Sequence, residues 1–160
     1  MLLHDLGKGF PEDHSEVGRR IAEEIGERFD LPDEETETIK FLVHNHLVMS
    51  HLAMHRDIND QAMVAEFASN VGSVQMLQML FVLTCADISA VGPGVLNPWK
   101  LDLLTQLFLR ATKVLTGDDG VGSSRSFQEI YDQVAGFAED PVEQTWLPVS
   151  YTHLTLPTKA

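Results

Sequence analysis

Val74 to about Ala90, set between Val71-Gly72-Ser73 and Gly92-Pro93-Gly94, is apolar around almost its whole helical circumference. A strongly apolar helix of that kind must lie in the core. The remaining periodicity is helical as well, and no segment shows the two-residue alternation bounded by turn signals that marks a strand. The expected fold class is therefore all-α. The 160 residues suffice for one domain of roughly 100–150 residues and little more.

Turn and capping residues divide the chain. Met1 to Asp5 reads as the last turn of a buried helix, followed by the loop Gly7-Lys8-Gly9-Phe10-Pro11. A helix from about His14 to Phe29 places Val17, Ile21, Ile25 and Phe29 on one narrow apolar stripe. Asp33 is the expected cap of the next helix, which runs through Ile39, Leu42, Val43 and Leu47. Asp60 caps a helix through Phe67, and Asn97-Pro98 starts another that reaches Leu115. Thr116 to Ser124 reads as a linker, and Phe127, Ile130, Tyr131 and Val134 as one face of a final amphipathic helix. Residues 116–147 are thus expected to hold a linker and a helix. Pro148 to Leu154 back-translates to a sequence similar to the end of a transposon used in sequencing libraries, so 148–160 is expected to be a non-native, adapter-derived tail and His153 is set aside.

Composition excludes several function classes. Eleven Lys and Arg against 24 Asp and Glu give a net charge of −13, which repels polyanions and speaks against nucleic acid as a partner. Eleven of the acids lie between Glu12 and Glu37 and read as a solvated helix face. The single cysteine, Cys85, excludes an internal disulfide and a Cys-rich zinc fold. No apolar run reaches the ~18 residues of a membrane span and no secretory leader opens the chain, so the cytoplasm is the expected location.

Against this background a few residues could carry chemistry. Asp87 follows Met79-Leu80-Phe81-Val82-Leu83-Thr84-Cys85-Ala86, and a carboxylate near the end of such a helix must be paired, hydrogen-bonded or bound to metal. His4 and Asp5 are consecutive, so on a helix they project about 100° apart and can still converge on one ion. Lys8, three residues beyond Asp5, could share their face and hold a phosphate oxygen. His44 and His46 point to nearly opposite sides of a helix, so at most one should face a given site. His51 and His55 have the i, i+4 spacing of zinc helices, but HExxH is missing and loop-like residues follow, so they read as surface groups. Mixed imidazole and carboxylate ligands favour Zn, Mn or Fe over Ca.

Leu2-Leu3-His4-Asp5-Leu6-Gly7-Lys8-Gly9, Asp13-His14-Ser15, Leu42 to Ser50, Arg56-Asp57-Ile58 and Leu83 to Ile88 together resemble the HD-domain metal-dependent phosphohydrolases. The order and spacing of His46-Leu47-Val48-Met49-Ser50, Thr84 to Gly94 and Asn97-Pro98-Trp99-Lys100 are similar to the HD domain of the bacterial uridylyltransferase/uridylyl-removing enzymes of nitrogen control.

The resemblance implies an HD-domain helical bundle over residues 1–115, truncated at its N-terminal side, where the family carries a further histidine on a preceding helix. It implies a divalent metal, Mn or Mg with Fe or Zn as further options. His4, Asp5 and Asp87 would be ligands, and His14 and His46 would serve a second ion or carry protons. It selects His46 over His44 and gives Lys8, Asp5 and His14 catalytic parts. It also implies hydrolytic removal of UMP from a tyrosine of a PII-type signalling protein, with nucleotidyltransferase and ACT domains as covalent neighbours. Two alternatives remain open at this stage: a stand-alone phosphohydrolase of nucleotides or cyclic dinucleotides, and an inactive helical regulatory module.

Overall fold

In a computed structural model, residues 3–117 together with Tyr131, Asp132 and Val134 are described. The described residues form six helices and no strand: α1 (His14–Arg28), α2 (Asp33–Asn45), α3 (Val48–His55), α4 (Gln61–Val71), α5 (Val74–Ala90) and α6 (Pro98–Thr116). The all-α expectation is met. Helix α5 is the axis of the bundle, packing against α2, α3, α4 and α6. Its Leu77, Leu80, Phe81 and Cys85 are buried with Met49, Phe67, Leu104 and Phe108 from its neighbours. Burial pushes the Cys85 thiol up to about 12, so it sits in the core as an un-ionised apolar group.

Several boundaries follow the expected capping chemistry. Asp60 accepts from the backbone N–H groups of Ala62 and Met63, and Asn97 accepts from that of Lys100 ahead of Pro98 at the start of α6. Helices α4 and α5 meet at 101° across Gly72-Ser73. No single helix among the described residues is long and apolar enough to cross a membrane.

Other expectations are corrected. Asp33 is the first residue of α2 rather than its cap, since Pro32 occupies that position and no side chain caps the helix. Helix α2 does not continue through Leu47: it ends at Asn45, and α3 begins at Val48. The residues after His55 are loop-like as expected, with α3 ending at His55 and α4 beginning at Gln61. Residues 3–9 form consecutive turns rather than the end of an α-helix, with Leu6 N–H donating to the Leu3 carbonyl (3.3 Å) and Lys8 N–H to that of Asp5 (3.0 Å). Most of the expected linker, final helix and tail lies outside the described residues; Tyr131, Asp132 and Val134 are helical, and Val134 joins the core.

Helix α1 departs furthest from its periodicity. Phe29 is 70% exposed, and the buried residues are Val17, Gly18, Ala22 and Gly26. Small residues at i, i+4 and i+8 let the backbone of α1 approach α2 closely: a Cβ at Gly18 would lie 2.8 Å from Val43 Cγ1, and one at Gly26 would lie 2.5 Å from Thr36 Cγ2. The close crossing is reached through a tight stop at the end of α1. Asp30 takes a left-handed φ of 52°, Asp30 N–H donates to the Glu27 carbonyl and Leu31 N–H to that of Gly26, the paired pattern that terminates many helices. Helix α1 therefore rests on α2, and α2 rests on α5.

Candidate metal centre

The turns at residues 3–9 pass the start of α1 at Gly7 and carry His4 to Asp87 near the end of α5. His4 Nε2 is 3.0 Å from Asp87 Oδ1 and 3.4 Å from Asp5 Oδ2. One ligand atom from each of His4, Asp5 and Asp87 lies within 4.8 Å of the others. Asp87 is half-buried, with 27% of its side chain exposed. The carboxylate expected to need a partner has one, and it remains reachable from solvent.

Asp5 is the hub. Lys8 Nζ donates to its Oδ2 at 2.6 Å across one turn, and His46 Nε2 lies 3.9 Å from its Oδ1. Burial raises the Asp5 pKa, but the Lys8 hydrogen bond and the nearby His4 and Lys8 outweigh it and hold the carboxyl below its usual value. The same hydrogen bond holds the Lys8 ammonium above its ordinary value.

His46 is placed by the break between α2 and α3. Its ring is 1% exposed, and its Nδ1 sits 2.6 Å from the Val43 carbonyl. A carbonyl oxygen only accepts, so Nδ1 carries the hydrogen and the Nε2 lone pair of the neutral ring faces Asp5. Burial, with the nearby His4 and His14, pushes the His46 pKa down and favours that neutral form. The His14 ring packs edge-on to His46 at 5.5 Å, and the His4 ring does so at 5.3 Å. His14 Nε2 and His46 Nε2 are both buried without a hydrogen-bond partner among the described residues.

Buried imidazole nitrogens without a hydrogen-bond partner are costly unless something binds them. Two of them beside a His/Asp/Asp cluster fit a divalent cation of the Mn, Fe or Zn type, and the backbone bond fixing His46 is the outer support common around ligating histidines. His44 Nδ1 is likewise buried without a hydrogen-bond partner, but it faces elsewhere, 3.8 Å from Glu16 Oε1 on the first turn of α1.

Sequence reading missed Gly7. A Cβ there would lie 2.0 Å from the His14 carbonyl oxygen and 2.9 Å from His14 Cα, so only glycine lets the His4-Asp5 turn sit against the start of α1. The readable signal was a glycine immediately after His-Asp-Leu.

Residues 1–75 match the HD domain. HD domains are typically metal-dependent phosphohydrolases that bind divalent ions. His4, Asp5, Lys8, His14 and His46 fall inside the matched segment, whereas Asp87 lies beyond it on α5. No solved structure gives a significant match to the chain.

Proposed function

We propose that this HD domain hydrolyses a phosphodiester, removing UMP from a uridylylated tyrosine of a PII-type signalling protein. The observation that carries the hydrolytic part is the His4/Asp5/Asp87 cluster with the unpartnered Nε2 atoms of His14 and His46 beside it. The substrate rests on the likeness of residues 46–50, 84–94 and 97–100 to the uridylyl-removing enzymes. In this reading residues 1–115 are the hydrolytic unit.

His4, Asp5 and Asp87 would hold one divalent ion, with Mn2+ or Mg2+ the proposed identity. His14 and His46 would take a second ion or carry protons. A divalent ion there supplies Lewis acidity and makes water nucleophilic near neutral pH. Asp5, kept ionised by Lys8, supplies negative charge to the cation. The Lys8 side chain is 64% exposed, so its ammonium can meet incoming phosphoryl oxygens and offset the charge they develop. The departing phenol has a pKa near ~10 and leaves more readily than a ribose alkoxide, which lowers the demand for a strong general acid.

The test is UMP release from uridylylated PII protein with Mn2+ present, with free nucleotides and cyclic dinucleotides assayed in parallel. UMP release that disappears in Asp87→Ala supports the reading. Turnover of free nucleotides alone would replace it with the second reading, a nucleotide phosphohydrolase. A cavity of about 470 Å3 beside His4, lined by Leu3, Leu42, Val43, Met79 and Gln75, is the feature that favours that alternative.

A further inference from the structure

Helix α3 carries two imidazoles that the cluster around Asp5 does not use. His51 and His55 are both exposed, one helical turn apart, with ring centroids 5.0 Å apart and planes inclined by 20°. The spacing acquires meaning because α3 is a helix through His55. His55 Nδ1 lies 3.2 Å from the His51 carbonyl, so that nitrogen donates and the lone pair of the neutral ring is on Nε2. The contact places both rings on one side of the helix, and a turn of the rings out of the stack is what brings a nitrogen of each onto one ion.

We propose that His51 and His55 form a two-imidazole chelate for a borderline divalent transition metal, Ni2+, Cu2+ or Zn2+, separate from the centre at Asp5. Among the described residues the only group of three or more His, Cys, Asp or Glu ligands within 4.8 Å of one another is His4, Asp5 and Asp87, so the α3 pair offers nitrogen alone. Imidazole without carboxylate suits Ni2+, Cu2+ and Zn2+, whereas Mg2+ and Mn2+ prefer oxygen ligands. The two sites therefore sort by metal. Mn2+ goes to the carboxylate centre, and a borderline ion also takes the helix pair, with water completing its coordination.

The experiment is calorimetric titration of the full chain with Ni2+ and separately with Mn2+, for wild type, His51→Ala, His55→Ala and Asp87→Ala. His51→Ala and His55→Ala should each weaken one Ni2+ site by tenfold or more and leave the Mn2+ isotherm unchanged; Asp87→Ala should leave that Ni2+ site in place. Both histidines are exposed, and circular dichroism verifies that the variants keep the fold. Cu2+ paramagnetic resonance gives a second readout: nitrogen coupling from two rings should fall to one in His55→Ala. A Ni2+ isotherm or Cu2+ spectrum indifferent to both histidine substitutions overturns the chelate.

Discussion

His4 Nε2 and Asp87 Oδ1 lie 3.0 Å apart although 83 positions separate them in the chain. The contact joins the turn at residues 3–9 to the end of α5, so the cluster exists only when α5 is seated in the bundle. Ligand geometry and core packing are thereby coupled, which makes the centre a reporter of the whole fold.

Asp87→Ala should abolish Mn2+ binding while leaving helical content unchanged. The side chain is half-buried and its helix is anchored by Leu77, Leu80, Phe81 and Cys85, so removing one carboxylate costs the site and spares the core. Loss of a supporting group around a metal costs about 10–100-fold in affinity, and loss of a ligand should exceed that. Mn2+ titration with far-ultraviolet circular dichroism checks it; an unchanged affinity would remove Asp87 from the ligand set.

Gly7→Ala should damage the same centre without touching a ligand. The added methyl would meet backbone atoms of His14, which cannot rotate away, so the 3–9 turn must move off α1. Overpacking of this kind costs about 1–3 kcal/mol. We expect a lower thermal midpoint together with weakened Mn2+ binding, whereas a variant as stable and as metal-competent as wild type would show that the turn tolerates displacement.

Gly26→Ala pits two effects against each other. Replacing a helical glycine gains roughly 1 kcal/mol of helix propensity, but the new Cβ would sit 2.5 Å from Thr36 Cγ2 and Oγ1. Steric crowding should win, giving net destabilisation in urea unfolding. Thr36→Ala should recover most of the loss in the double variant, with a coupling of about 0.5–3 kcal/mol expected between residues in contact. Additive effects would mean that α1 and α2 do not cross as closely as the glycine stripe indicates.

The Lys40 clamp gives a pH window. Lys40 is buried between α1 and α2, with its Nζ 2.7 Å from Glu23 Oε1 and 2.7 Å from Glu37 Oε1. The hydrogen bond to Glu23 holds Lys40 above its ordinary 10.5, and the hydrogen bond from Lys40 holds Glu23 below 4.5. A raised lysine contributes stability below 10.5 that disappears as pH rises through its folded value. A lowered glutamate contributes above 4.5 and is lost as pH falls through its own. The stability difference between wild type and Lys40→Met should therefore be flat from about pH 4.5 to 10.5 and change at both extremes. Urea unfolding across that range tests it, and a difference independent of pH at both ends would remove the clamp from the stability of the α1–α2 pair.

Much of this architecture is written locally. The apolar circumference of Val74–Ala90, the side-chain caps Asp60 and Asn97, and the stop at Gly92-Pro93-Gly94 act through neighbouring residues in the chain, so they could be read without coordinates. The same holds for Lys8 and Asp5, which meet across a single turn. Periodicity misjudged α1 because hydrophobicity marks what gains by leaving water, whereas the face that packs was chosen by how closely two backbones can approach, and Gly18 and Gly26 carry no hydrophobic signal. It also ran α2 through the break at His46-Leu47, since both residues keep helical backbone angles there. The resemblance grouped His4, Asp5, Asp87 and His46, but the 3.0 Å contact of His4 with Asp87, the tautomer of His46 and the fit of Gly7 against the His14 backbone came only with the tertiary structure. Each is a contact between residues that do not share a helix, and a sequence records the residue types on both sides without the distance between them.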